Sequence, residues 1–161
     1  MGLIKFKFNS LPVSVNKLYF ERQGRRILSS EGRAFKTKFI TAGGGASKKD
    51  LMDFAADPTK EYFLLLKFYI RQKRLINEKY GTDKRIKYQF KRLDVSNLVK
   101  LAEDSIASLL DIPDQNNFKI LLSKIPIPDD SEEYMIAILG DISSKFINEE
   151  ILDIVMEAMN E

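Results

Sequence analysis

The stretch Lys91-Arg-Leu-Asp94-Val-Ser96-Asn97-Leu-Val-Lys100-Leu-Ala-Glu103-Asp104-Ser-Ile106-Ala-Ser-Leu-Leu-Asp111-Ile-Pro-Asp114-Gln115 decides how this chain is read. At ~100° per residue, Leu98, Leu101, Ala102, Ser105, Ile106 and Leu109 fall on one side of a helix running from Asp94 to Leu110. Ser96, Asn97, Lys100 and Asp104 share the opposite side. Asp94 stands at the start, where its side chain can cap free amides and its charge suits the helix dipole. Beyond the end, Pro113 shapes a loop that carries Asp111 and Asp114. One account of these residues is structural: Asp94 is a cap, Lys100 and Asp104 an i,i+4 pair, Asp111 a turn residue. The other is chemical. Two or three carboxylates meeting at one point hold magnesium for phosphodiester cleavage, and a nearby lysine steadies charge on the phosphate.

Just upstream, nine Lys/Arg lie between Arg71 and Arg92 (71, 73, 74, 79, 84, 85, 87, 91 and 92) against Glu78 and Asp83. Tyr80, Tyr88 and Phe90 are interleaved with them. A basic stripe with aromatics is the footprint expected of phosphate binding, although a solvated loop or hairpin has the same composition. Arg71, Lys73, Arg74, Lys84, Arg85, Lys87, Lys91, Arg92, Asn97 and Lys100 are therefore the candidate nucleic-acid contacts.

Further out, Leu3 to Phe8 alternates as a strand does, and Pro12 keeps Leu11 to Asn16 extended or turned. Gln23-Gly-Arg-Arg reads as a turn before a short strand, Arg26 to Ser29. A helix starts at Ser30-Glu31-Gly32 and is stopped by Gly43-Gly-Gly. That glycine run lacks a Gly-Lys-Ser/Thr ending, so a flexible linker is a better expectation than a phosphate loop. A short helix follows within Ser47 to Ala56. The near-continuous apolar run from Tyr62 to Ile70 predicts a central strand. Tyr80 to Phe90 is expected as a hairpin or ordered arm. Phe118 to Ile125 and Tyr134 to Leu139 read as an antiparallel pair joined by Pro-Asp-Asp-Ser. Phe146 to Met159 is amphipathic, with Ile147, Ile151, Ile154, Val155 and Ala158 on one side, and suits the domain's own sheet or a second subunit.

Composition narrows the chemistry. The 161 residues, 44% hydrophobic, suffice for one domain with a real core. The run from Phe63 to Ile70 is short and interrupted by Lys67, so no membrane span is expected. The N-terminus lacks the apolar centre of a secretory signal. No cysteine excludes disulfides and thiolate metal sites, and points to a cytosolic setting. No histidine excludes Ser-His-Asp machinery and imidazole ligands; any metal would have oxygen ligands, which favours magnesium, manganese or calcium. The net charge of +3 is too small to argue for a partner by itself.

Taken in order, these segments resemble the RusA family of Holliday-junction resolvases. The family pattern Asp-x-Asp-Asn-x-x-Lys-x-x-x-Asp-x-Leu, followed by Asp-Asp-x-x-Ile after a loop, appears as Asp94-Val-Ser96-Asn97-Leu-Val-Lys100-Leu-Ala-Glu-Asp104-Ser-Ile106 and Asp114-Gln115-Asn-Asn-Phe118. Its opening Pro-Pro-Ser-x-Asn-x-x-Tyr and Ser-x-Glu-Gly are matched by Leu11-Pro-Val-Ser-Val-Asn16-Lys-Leu-Tyr19 and Ser29-Ser-Glu31-Gly32. Each motif is weak alone, but their order and spacing agree from about Leu3 to Ile142. The resemblance implies a small α/β (α+β) fold, a mixed sheet with helices on one face, over residues 1–142. Residues 143–161 would add an extra C-terminal helix. It further implies a homodimer, a basic surface for branched DNA, magnesium-dependent incision, and a bacterial phage or prophage origin.

The departures fall on the catalytic positions. Ser96 and Gln115 stand where the family pattern has aspartates, leaving Asp94, Lys100 and Asp114 as catalytic candidates, with Asp94 and Asp114 as metal ligands. Magnesium gives up its water reluctantly and needs anionic ligands. Such a site is expected to hold it weakly or not at all, and junction cleavage to be impaired or lost. The alternative is an inactive regulatory or protein-interaction module built on a nuclease-derived scaffold. Either way, Asp94 and Asp114 are expected to meet in one cleft beside a cationic wall.

Overall fold

Ten residues with an apolar side chain on nearly every position, Tyr62-Phe-Leu-Leu-Leu-Lys-Phe-Tyr-Ile-Arg71, form strand β4, and its first nine residues are all buried. In the computed structural model, which describes residues 2–142, β4 occupies the middle of a four-stranded sheet of order β1-β6-β4-β5. The other strands are β1 (Leu3–Phe8), β5 (Asn117–Ile127) and β6 (Tyr134–Asp141). β6 runs antiparallel to both β1 and β4, whereas β5 runs parallel to β4. A separate two-stranded ribbon pairs β2 (Tyr19–Arg22) with β3 (Arg25–Leu28). The protein is thus a small α+β fold with a mixed sheet. The helix expected over Phe146–Met159 lies outside the described residues.

The helices are α1 (Val15–Leu18), α2 (Ser30–Thr41), α3 (Lys48–Asp53), α4 (Gln72–Leu75) and α5 (Ser96–Leu110). Ser29 begins α2 by accepting a hydrogen bond from the Gly32 amide at 3.1 Å, and Ser47 begins α3 in the same way through the Asp50 amide. Helix α5 buries Leu98, Leu101, Ala102, Ser105 and Ile106, the stripe its periodicity predicts. Its apolar side chains Leu98, Leu101, Ala102 and Ile106 share one core with Phe35 and Phe39 of α2 and with alternate residues of the sheet, among them Phe6, Leu64, Phe68 and Leu139. Phe8 meets Phe35 and Phe39 edge-on, at 5.4 and 5.1 Å between ring centres.

Two expectations are corrected. Strands β5 and β6 are not a hairpin: each pairs with β4, on opposite sides. Helix α5 is the crossover from β4 to β5, and such a crossover is how parallel neighbours are joined. The glycine run is not a linker either. Gly43, Gly44 and Gly45 all have left-handed φ (59°, 62° and 76°) and form one tight turn after α2. A methyl group on Gly44 would stand 2.6 Å from Phe6, and one on Gly45 only 1.9 Å from the Lys7 carbonyl oxygen. The turn lies against β1, and only hydrogen in place of a side chain permits that approach.

Gly24, in the β2–β3 turn, has a similar φ of 71° but open space around it. Gly24→Ala should therefore cost about 1 kcal/mol, the strain of a left-handed alanine. Gly45→Ala adds a backbone collision and should cost clearly more. Urea denaturation of both variants checks this, and equal losses would show that the turn is not packed as described.

Candidate functional site

Helix α5 begins two residues later than expected. Val95 occupies its cap position, and no side chain caps it there. Asp94 instead accepts a 3.0 Å hydrogen bond from the Ser96 amide. Hydrogen bonds from Ser96, its side chain foremost, hold the Asp94 carboxyl below the usual carboxylate range. Asp94 and Asn97 face a cleft of about 510 Å³ lined by Ser14, Asn16 and Lys17 from the α1 region, Glu31 from α2, and Arg74, Arg92 and Glu133.

Further along the same helical side, the Lys100 ammonium lies between two carboxylates, 2.8 Å from Asp104 and 2.7 Å from Asp114. The hydrogen bonds that Lys100 donates to Asp104 and then to Asp114 raise its pKa well above its ordinary value. Lys100 in turn lowers that of Asp114. Glu103 stands behind them, half-buried, donated to at 3.1 Å by the Asn117 amide. Burial pushes its carboxyl up. Asp104, Asp111 and Asp114 line a second groove with Lys36 and Pro113.

The structure therefore brings Lys100 to Asp114 but not Asp94 to Asp114, which line different grooves. About 12 Å of helix axis separates the levels of Ser96 and Asp104. Among the described residues no three acidic side chains are placed to hold one ion. A magnesium ion can manage with one or two carboxylates plus water. The fit still fails here, because the oxygens of Asp104 and Asp114 face an ammonium that would repel it. The donor set suits a lysine-neutralised acid pair better than a dication.

The basic segment is an arm closed at its base. The Asn77 amide donates to the Gln89 carbonyl at 2.8 Å, and the Lys91 amide to the Leu75 carbonyl at 2.7 Å. Ile76 and Phe90 form a bridge between the two sides. Not all of its cations face solvent alone. Arg71 donates to the Ser131 carbonyl at 3.0 Å, and Arg74 pairs with Glu133 at 2.6 Å. Arg85 pairs with Asp83 at 2.8 Å, and the Lys91 ammonium bonds the Lys73 carbonyl. Lys73, Lys84, Lys87 and Arg92 are exposed, as are Tyr80, Tyr88 and Phe90. Of the candidate phosphate contacts, Arg74, Arg92 and Asn97 converge on the Asp94 cleft. Lys84, Arg85 and Lys87 do not line it. Lys17, Glu31 and Glu133 complete the cleft; Glu31 belongs to the Ser-x-Glu-Gly motif, whereas nothing in the local sequence of Glu133 signals a site, and only the fold brings it there.

A scan against protein-family models and a search of curated proteins found no match to the chain. Among the described residues no helix is long and apolar enough to cross a membrane.

The Lys100 pairing sets a pH signature. Asp114 has a lowered folded pKa, so its contribution to stability is complete above its ordinary value near 3.8 and fades as pH falls through the folded value. The folded pKa of Lys100 is raised, so its contribution is complete below 10.5 and fades only at more alkaline pH. Lys100→Met should lower stability by about 1 kcal/mol or less between pH 5 and 9, as for partly exposed ion pairs. The deficit should shrink below pH 3.8. Urea melts across pH test this; a deficit that persists at acid pH would mean that Lys100 acts by packing alone.

Proposed function

We propose that this chain is a RusA-like protein that binds branched DNA as a homodimer, with magnesium-dependent junction cleavage impaired or lost. One observation carries the reading. Segments far apart in sequence, Leu11–Asn16, Glu31 and Asp94–Asn97, carry part of the resemblance, and all three line one cleft, whereas Asp104 and Asp114 line another. Packing alone gives no reason for polar residues from these three motifs to gather at one surface depression. In this reading Arg92 and Lys17 hold a phosphate and Asn97 orients it, while the exposed aromatics of the arm offer surfaces for unstacked bases.

The impaired chemistry follows from the acids. Ser96 and Gln115 supply no anionic charge, Asp94 is engaged by Ser96, and Asp114 by Lys100. What remains resembles a phosphate-binding surface more than a hydrolytic centre. The same facts favour the second reading, an inactive regulatory or interaction module, if the arm binds protein in place of DNA.

The two readings separate in a titration of a labelled four-way junction and matched duplex at several salt concentrations. DNA binding through phosphates predicts affinity that falls steeply as salt rises. Arg92→Ala and Lys17→Ala should each lower the salt slope by about 1. The absence of any affinity for either DNA would leave the interaction module standing.

Cleavage gives an independent check. The native chain should nick the junction slowly or not at all in magnesium or manganese. Rapid, symmetric nicking by the native chain would refute the impaired site.

A further inference from the structure

The arm between Leu75 and Arg92 is held in shape, yet it leaves its rings uncovered. Its base is tied across by the Ile76–Phe90 bridge, and the Asn77 side-chain amide donates to the Tyr88 carbonyl at 2.7 Å. Its outer end is a run of turns, in which the Tyr80 amide donates to the Asn77 carbonyl and the Ile86 amide to the Asp83 carbonyl, both at 3.0 Å. On this frame Tyr88 is 75% exposed and Phe90 65%. Rings so exposed add little to the chain's own packing, and two displayed together mark a contact surface. Both line one depression of about 740 Å³, whose other walls are Asn77, Gln89, Lys91 and Arg92. Among the described residues its lining holds cations and amides but no carboxylate, unlike the Asp94 cleft with Glu31 and Glu133. Arg92 lines both depressions, so they adjoin at a cation.

We propose that Tyr88 and Phe90 form a stacking site for one unpaired nucleobase, with Arg92 holding the adjoining phosphate. The chemistry of the lining selects this ligand. A nucleobase has two flat apolar faces and a rim of donors and acceptors. The rings take a face, and the exposed Gln89 amide, which carries both a donor and an acceptor, takes the rim. The flanking phosphates need cations, which Arg92 supplies at the edge and Lys84 and Lys87 supply, exposed, further along the arm. A base inside a duplex offers no free face, because its neighbours in the stack cover both sides. The arm therefore selects nucleotides that have left the helix, as at a branch point or in a single strand. This inference rests on the DNA reading of the cleft and adds to it what the arm recognises.

Two probes test it with the full chain: a duplex carrying one unpaired 5-iodo-2′-deoxyuridine, and the same duplex with that base paired. On irradiation this base couples preferentially to an aromatic side chain stacked on it, and mass spectrometry maps the adduct. The chain should bind the unpaired probe more tightly, with the adduct at Tyr88 or Phe90. Tyr88→Ala with Phe90→Ala should weaken binding of the unpaired probe by about tenfold or more, the loss expected of an unstacked base, and leave the paired probe unchanged. Tyr88→Phe with Phe90→Tyr keeps both rings and should keep both the adduct and the affinity. Equal affinity for the two probes, or adducts confined to residues outside the arm, would overturn the stacking site while leaving the DNA reading in place. Binding of neither probe would overturn both.

Discussion

Strand β4 exposes almost nothing on either side, so the sheet around it has to be covered twice, and this constraint organises the molecule. On one side the cover is α2 and α5, whose Phe39, Leu101 and Ile106 meet Leu64, Leu66 and Phe68. Placing α5 there fixes the direction of β5, because a helix crossing over one face returns the chain parallel to the strand it left. The same seating turns the polar side of α5 outward, which is why Asn97, Lys100 and Asp104 face solvent. Core packing and the candidate site are two sides of one helix.

Elements whose pattern is strong in isolation were legible in the chain. The alternation of Leu3–Phe8, the apolar run of β4, the stripe of α5 and the serine that starts α2 each appear close to where periodicity and capping place them. Pairing was not legible. A six-residue gap between β5 and β6 favours a hairpin, but the two strands have different surroundings. All but the first residue of β6 are buried, so it needs partners on both edges and lies between β1 and β4. β5 carries Lys119 and Lys124 and is largely exposed, which suits a sheet edge. Burial on both flanks decided the order, and local pattern does not encode it. The glycine run shows the same limit: its composition reads as slack, while its role is a close approach to Lys7 that only the tertiary fold reveals.

For the site, the sequence paired Lys100 with Asp104 and the resemblance grouped it with Asp94 and Asp114; the fold brings Lys100 to Asp104 and Asp114 but not to Asp94. Asp94 and Asp114 flank one helix in sequence, and a helix holds its two ends apart. Their meeting would require the loop after α5 to fold back over most of its length, whereas Asp114 reaches only the level of Lys100. Lys17 is on α1, Glu31 on α2 and Glu133 just before β6, so no sequence window contains the cleft they form with Arg92.

The charges around α5 bear on which chemistry this surface tolerates. A bare carboxylate about 4 Å from a phosphate costs about 4 kcal/mol at the effective dielectric of a protein surface, before any relaxation. A single exposed ion pair returns about 1 kcal/mol at most. Repulsion of that size cannot be offset by adding one lysine; it is relieved by removing or neutralising acids. In the proposed reading both have happened here. Ser96 and Gln115 are neutral, and the Lys100 ammonium lies between Asp104 and Asp114, while Asp94, held by the Ser96 amide, keeps its charge. The charge that would hold a metal is the charge that repels metal-free DNA, so a surface relieved of it gains affinity for phosphate as it loses the means to cut.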